Sequence, residues 1–122
     1  MKKRVRVVDD SATDRQLATS LLQKQGYSVI AAVDGEDALE KIAVEPPPLV
    51  VLDIILPGMN GYQVLRHLKS SPHTKDIKVI LVSSKGQDSD RYWGLKQGAD
   101  DYIAKPYPDD VLLSAVAKHL QQ

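Results

Sequence analysis

Short apolar runs alternate with segments of helical periodicity along the whole chain, and this alternation constrains the fold more than any other feature. Two of the runs, Leu49–Leu52 and Val79–Val82, are continuously apolar, which is typical of strands buried on both faces. The segments between the runs carry apolar residues three and four positions apart, as amphipathic helices do. Five strands that alternate with five helices predict βαβ units, and therefore a mostly parallel α/β sheet with helices on both faces.

The periodicity also predicts the bounds of the elements and their buried faces. Strands are expected at Val5–Val8, Tyr27–Ala32, Leu49–Leu52, Lys78–Ser83 and, over the sequence DYIA, at 101–104. On the fourth helix, near Asp88–Gln97, Tyr92 and Leu95 suit the core; Trp93 is expected to be a half-buried structural residue, with a partner-facing anchor as the alternative. The residues expected on the apolar faces of the other helices are Leu17, Ala18, Leu21 and Leu22; Ala38, Leu39, Ile42 and Ala43; Val64, Leu65 and Leu68; and Val111, Leu112, Ala115, Val116 and Leu120.

Length and composition narrow the class of protein. The chain has 122 residues, which suits one domain, and the element pattern leaves no segment for an output domain, so a single domain over 1–122 is expected. Sixteen basic residues balance sixteen acidic ones, which argues against nucleic acid or an anionic membrane as a partner. The absence of cysteine excludes thiolate catalysis and thiolate metal sites. No signal-type or membrane-spanning apolar stretch is present, so a cytoplasmic location is expected.

Polar residues stand where four of the predicted strands end. Asp9 and Asp10 follow the first strand, and Asp53 ends the third, inside an otherwise apolar run. Ser83 and Lys105 come at the ends of the fourth and fifth strands. In an open parallel sheet the carboxyl ends of the strands share one edge, and ligands bind there, so all five side chains are expected at one site.

Three carboxylates at one site repel one another, and a pair about 4 Å apart costs about 4 kcal/mol at an effective dielectric of 20. A hard divalent cation removes that cost. Ligand sets made only of oxygen select magnesium, manganese or calcium, and Mg²⁺ with several waters suits two or three carboxylates best. A metal, a carboxylate nucleophile, a hydroxyl and a lysine are the parts needed for phosphoryl transfer onto a carboxylate.

Four sequence blocks resemble one known family over essentially the whole chain. VVDDS, LDIILPGMNG, VILVSS and GADDYIAKPY, in this order and spacing, are similar to the receiver domains of bacterial two-component response regulators. The resemblance implies the flavodoxin-like, CheY-like doubly wound fold, with five strands in the order 2-1-3-4-5 and five helices. It also implies that Asp53 is the phosphoacceptor, that Asp9 and Asp10 hold Mg²⁺ with Asp53, and that the backbone carbonyl of Ile55 completes the metal shell.

The resemblance assigns three further residues to a switch. Ser83 occupies the position whose hydroxyl binds the phosphoryl oxygens, and Lys105 resembles the lysine that pairs with the phosphoryl group. Tyr102 matches an aromatic residue that turns inward when Ser83 is drawn to the phosphate. The Lys105–Pro106 peptide bond is often cis in this family. A phosphoryl group adds charge and acceptor oxygens, so it is expected to bias the loop after the fourth strand.

The leading functional hypothesis is a stand-alone receiver that accepts a phosphoryl group from a histidine kinase or a histidine phosphotransfer domain. It would signal to a downstream protein through helix four, strand five and helix five, and would catalyse only its own phosphorylation and dephosphorylation. The segment YWGLKQGADDYIAKPY is similar to receivers of twitching-motility, pilus-associated and phototaxis-like chemosensory systems. The alternative is a degenerate receiver that binds partners without phosphorylation.

Two enzymatic alternatives fit the residues less well. A flavin- or nucleotide-binding enzyme on the same fold would carry a Ser/Thr/Gly-rich loop after the first strand, whereas the turn here is DDSATD, which repels phosphate without a metal. A metal-dependent phosphatase would need a second acid two residues after Asp53, where the chain has Ile55.

Overall fold

The structure, a computed structural model, describes residues 3–121, in which five strands alternate with five helices. The elements are β1 (Arg4–Val8), α1 (Ala12–Lys24), β2 (Ser28–Ala32), α2 (Gly35–Val44), β3 (Leu49–Asp53), α3 (Gly61–Lys69), β4 (Lys78–Ser83), α4 (Asp88–Lys96), β5 (Asp101–Ala104) and α5 (Asp109–Leu120). The predicted element order is confirmed, and the strand ends differ from the predicted ones by one residue at most.

The five strands form one parallel sheet in the order β2-β1-β3-β4-β5. This arrangement confirms the doubly wound, CheY-like fold class. β3 lies at the centre and is buried along its whole length, from Leu49 to Asp53. Since every strand runs in the same direction, the carboxyl ends of β1, β3, β4 and β5 lie along one edge of the sheet.

Two apolar layers cover the faces of the sheet. One layer joins α2 and α3 to the sheet through residues such as Ile42, Leu65 and Leu81. The other joins α1 and α5 to the opposite face through residues such as Leu22, Ile80 and Val116. Strand residues alternate between the two layers, and this explains the continuous apolar sequence of the central strands.

The predicted inner faces are confirmed for α3 and wrong in part for the other helices. Val64, Leu65 and Leu68 of α3 are all buried. On the remaining helices the apolar pattern is wider than the contact with the sheet, so its flanking members reach solvent. These outward residues are Leu17 on α1, Ala43 on α2 and Val111 on α5.

Helix α4 departs furthest from the prediction. Tyr92 and Leu95 were expected in the core, but they are 65% and 39% exposed, and Trp93 is 53% exposed. Gly94 is the one buried residue of the helix. A Cβ atom at Gly94 would lie 2.7 Å from Cδ2 of Tyr102, so the helix backbone itself rests on the Tyr102 ring. The larger apolar side chains of α4 therefore flank this contact instead of filling it.

Candidate functional site

The candidate site lies at the carboxyl edge of the sheet, where the sequence predicted it. Asp9 follows β1, Asp53 is the last residue of β3, and both are buried. Ser83 ends β4 and is fully buried. Lys105 follows β5, and its backbone N–H donates to the Ser83 carbonyl at 2.7 Å. The parallel sheet thus brings four residues from distant parts of the chain to one edge.

Three carboxylates at this edge form a group that can hold a metal ion. One oxygen atom from each of Asp9, Asp10 and Asp53 lies within 4.8 Å of the others. Asp10 is exposed, whereas Asp9 and Asp53 are buried. The donor set contains only oxygen, which suits a hard divalent cation such as Mg²⁺. The residues present therefore fit the metal that the acidic sequence pattern predicted.

Backbone hydrogen bonds fix the direction of the two buried carboxylates. Oδ1 of Asp53 accepts from the backbone N–H of Ile55 at 3.0 Å, and Oδ1 of Asp9 accepts from the backbone N–H of Ser11 at 2.9 Å. Gly61, the first residue of α3, lies against Asp53, and a Cβ atom there would clash with the Asp53 carbonyl. The chain after β3 therefore contacts both the carboxylate of Asp53, through Ile55, and its backbone carbonyl, through Gly61.

Lys105 joins three carboxylates with its ammonium group. Its Nζ lies 2.7 Å from Oδ2 of Asp9, 2.9 Å from Oδ2 of Asp53 and 3.0 Å from Oδ2 of Asp14. The contacts with Asp9 and Asp53 are those expected of a lysine that shares their sheet edge. Asp14 was not predicted. Asp14 lies in the first turn of α1. The sequence DDSATD could have indicated it, because it places a third aspartate four residues after Asp10, near the end of β1.

The electrostatics of the site follow from burial and from this shared lysine. Burial raises the pKa of Asp53 above its usual value, and the Asp9 carboxylate adds to the rise, while hydrogen bonds from Lys105 and Ile55 oppose it. Burial alone would lower the pKa of Lys105, but hydrogen bonds to Asp9, Asp53 and Asp14 outweigh it and raise that pKa. Lys105 is therefore a fixed positive charge beside a carboxylate that is partly desolvated.

The residues expected to form a switch surround the loop between β4 and α4. Oγ of Ser83 accepts from the backbone N–H of Lys85 at 3.1 Å, and the hydroxyl of Tyr102 donates to the Lys85 carbonyl at 2.6 Å. Tyr102 is buried, so its ring faces inward. Arg91 of α4 donates to the Tyr102 carbonyl at 2.6 Å. Ser83 and Tyr102 thus hold the same residue of the loop, and Tyr102 is tied directly to α4.

Two further features flank the site. The Lys105–Pro106 peptide bond is cis, as the family resemblance implied. A groove of about 570 Å³ runs beside Lys105, between α1 and the loop that leads into α5, and its lining includes Asp14, Leu17, Tyr107 and Asp109. The exposed Leu17 on α1, expected in the core, belongs to this groove.

The histidines do not form a second metal site within residues 3–121. His119 of α5 lies 3.1 Å from Oδ2 of Asp101, while His67 and His73 are exposed in and after α3. The one group of three possible ligand residues found in this part of the chain is the acidic group already described. Among the described helices, none is both long and apolar enough to cross a membrane.

The chain matches known proteins over nearly its whole length. Residues 5–117 match the family model of the response regulator receiver domain. The chain is 40% identical over 113 residues to Protein PilH of Pseudomonas aeruginosa, covering 93% of each chain. It is 41% identical over 117 residues to Protein PilG of the same organism, covering 96% of this chain and 87% of PilG.

Other matches extend the comparison to longer proteins and to a solved structure. The chain spans about half the length of the phosphate regulon transcriptional regulatory proteins PhoB that it also matches. The crystal structure of a putative response regulator from Chloroflexus aurantiacus superimposes with a TM-score of 0.95, at 30% identity and complete coverage of both chains. With the acidic group, the shared lysine and the strand order already described, these matches establish that the chain belongs to the receiver domain family of response regulators.

Proposed function

We propose that this receiver is a phosphorylatable switch of a phosphorelay, in which Asp53 accepts a phosphoryl group from a histidine kinase or a histidine phosphotransfer domain. One observation supports this most strongly: Lys105 bonds to Asp53 and Asp9 together, beside an acidic group whose oxygen atoms lie within 4.8 Å. Three carboxylates gathered at one end of a sheet repel one another, and a divalent cation together with Lys105 would offset that repulsion.

Asp9, Asp10 and Asp53 are the residues proposed to hold Mg²⁺, together with the backbone carbonyl of Ile55. When bound, the cation would neutralise the carboxylates and polarise the transferred phosphoryl group. A carboxylate oxygen of Asp53 forms the new bond to phosphorus, the bond between phosphorus and the donor imidazole nitrogen breaks, and the imidazole keeps the electron pair. The Ile55 N–H and Lys105 hold Asp53 in place for this attack.

The signal is proposed to pass from the phosphoryl group to the surface of α4, β5 and α5. Lys105 and Ser83 are the groups proposed to bind the phosphoryl oxygens. The loop after β4 would respond, because Ser83 and Tyr102 both bond to Lys85 there. The Tyr102 ring lies against Gly94 of α4, so a movement of that ring would reach a surface that a downstream protein can bind.

Intact-mass measurement after incubation with acetyl phosphate tests the proposal. The wild type and Asp53→Asn are compared, each with Mg²⁺ and with a chelator. Asp76→Asn is a matched control, since Asp76 lies exposed near the start of β4, at the opposite edge of the sheet. We expect one phosphoryl adduct in the wild type and in Asp76→Asn with Mg²⁺, and none with the chelator or in Asp53→Asn.

The same experiment separates the proposed switch from its alternative. A folded wild type that takes up no phosphoryl group in the presence of Mg²⁺ would contradict the proposal. It would favour a degenerate receiver that binds partners without phosphorylation. An adduct of equal size in Asp53→Asn would place the acceptor elsewhere in the chain.

A further inference from the structure

Asp14 stands apart from the other carboxylates that bond to Lys105. An ammonium group has three N–H donors, and Asp9, Asp53 and Asp14 together occupy all three. Asp9 and Asp53 belong to the acidic group, whereas Asp14 does not. The Asp14 side chain is 45% exposed, against 9% for each of the other two. Asp14 is therefore a partner for Lys105 outside the proposed metal ligands.

The ammonium of Lys105 and a divalent cation compete for the same carboxylates. Lys105 bonds to Oδ2 of Asp9 and Oδ2 of Asp53, while their Oδ1 atoms accept backbone hydrogen bonds. A cation that binds Asp9 and Asp53 shares their negative charge with Lys105, and this weakens their attraction for the ammonium group. The Lys105 side chain is only 19% exposed, so weaker contacts with two of its three acceptors are not fully replaced by water, and this cost opposes cation binding.

We propose that Asp14 is a positioning residue for Lys105, which retains the ammonium group when Asp9 and Asp53 bind a divalent cation. This inference rests on the proposed function, because it assumes that a cation binds the acidic group. Asp14 acts through Lys105: it keeps the positive charge beside Asp53 and lowers the cost of releasing the other two carboxylates. Asp14 can do so from the first turn of α1, because its carboxylate already lies 3.0 Å from Nζ.

A double-mutant cycle on Mg²⁺ affinity, measured by isothermal titration calorimetry, tests the inference. The four proteins are the wild type, Asp14→Ala, Lys105→Met and the double variant. Asp14→Ala should weaken Mg²⁺ binding about fivefold when Lys105 is present, but no more than about twofold in the Lys105→Met background. Lys105→Met alone should strengthen Mg²⁺ binding, because it removes the competing ammonium group.

Asp109→Ala is the matched control for the loss of charge. Asp109 lines the same groove as Asp14 and Lys105 but is not one of the three carboxylates bonded to Lys105. Its replacement should change Mg²⁺ affinity by at most about twofold in either background, since only long-range charge is lost. A fivefold loss of Mg²⁺ affinity in Asp109→Ala would overturn the inference, because the effect would then come from any nearby negative charge and not from the bond between Asp14 and Lys105.

Each remaining outcome also decides the question. Equal effects of Asp14→Ala in both backgrounds would overturn the positioning role and leave the proposed function intact. A wild type that binds no Mg²⁺ would overturn the inference through the proposed function itself. Asp14→Asn is measured alongside as a second variant, with helical content followed by circular dichroism. It keeps the shape of the side chain but removes its charge; as in Asp14→Ala, the backbone N–H of residue 14 still donates to the Ser11 hydroxyl, so α1 remains capped.

Discussion

Helices α3 and α4 have nine residues each and lie on the same face of the sheet, but they are attached to it in opposite ways. α3 buries the large apolar side chains of Val64, Leu65 and Leu68. α4 buries one glycine and leaves its aromatic side chains exposed. The difference separates a helix that supplies large side chains to the core from one whose buried contact is made by a glycine, mainly against the ring of Tyr102.

This contrast bears on the proposed switch. Few buried apolar contacts allow a segment to move at small cost, whereas a helix that supplies large core residues moves only with the core. Gly94 rests on Tyr102, and Tyr102 bonds to the loop that follows Ser83. α4 is thus attached at the point where the phosphoryl signal is proposed to arrive.

The largest difference between the helices should come from matched leucine substitutions. Leu65→Ala on α3 removes a side chain that is 0% exposed, and we expect it to lower the free energy of unfolding by about 3 kcal/mol. Leu95→Ala on α4 removes one that is 39% exposed and should cost about 1 kcal/mol or less. Urea denaturation monitored by circular dichroism measures both. Equal losses would show that α4 is as firmly packed as α3.

An intermediate effect is expected where α4 meets the sheet. Alanine normally stabilises a helix interior by about 0.5–1 kcal/mol relative to glycine. At Gly94 we expect the opposite, a loss of about 1–2 kcal/mol, because the new Cβ would overlap the Tyr102 ring. The same change in a Tyr102→Ala background should be neutral or stabilising when both are measured by urea denaturation. Stabilisation by Gly94→Ala in the wild-type background would contradict the close contact.

The smallest effect is expected on the outer surface of α4. Tyr92 is 65% exposed, and its ring lies 5.5 Å from the Lys96 ammonium, so Tyr92→Ala should change the free energy of unfolding by no more than about 0.5 kcal/mol. Tyr62→Ala on α3 is the control: Tyr62 packs against the core, and its loss should cost about 1–2 kcal/mol. If thermal unfolding ranks the two tyrosines in the reverse order, the comparison between the helices fails.

The sequence predicted the fold and the position of most of the residues at the candidate site, because both follow from the pattern and direction of the strands. Continuous apolar runs identified the central strands, and Asp53 stood out as a charge inside one of them. A parallel sheet places all carboxyl strand ends at one edge, so Asp9, Asp53, Ser83 and Lys105 could be assigned to one site before any contact was seen. The acidic group and the contacts of Lys105 agree with this assignment.

Other features could not be predicted, because they depend on packing. Arg6 lies within an apolar run, yet it is buried and donates to the Glu45 carbonyl at 2.7 Å, at the end of α2. Nothing in the spacing of the sequence joins β1 to that helix end. The packing of α4 could not be predicted either, since its large apolar residues stay exposed and its one buried residue is a glycine.

The sequence by itself determined the order of the elements, the parallel sheet and the residues that reach its carboxyl edge. The physical reason is that strand periodicity and chain direction follow from local sequence. Only the tertiary structure decided that Asp14 shares Lys105 with Asp9 and Asp53, and that α4 rests on Tyr102 through Gly94. These contacts depend on the distance and orientation of packed elements, which are set by the volumes of many side chains at once.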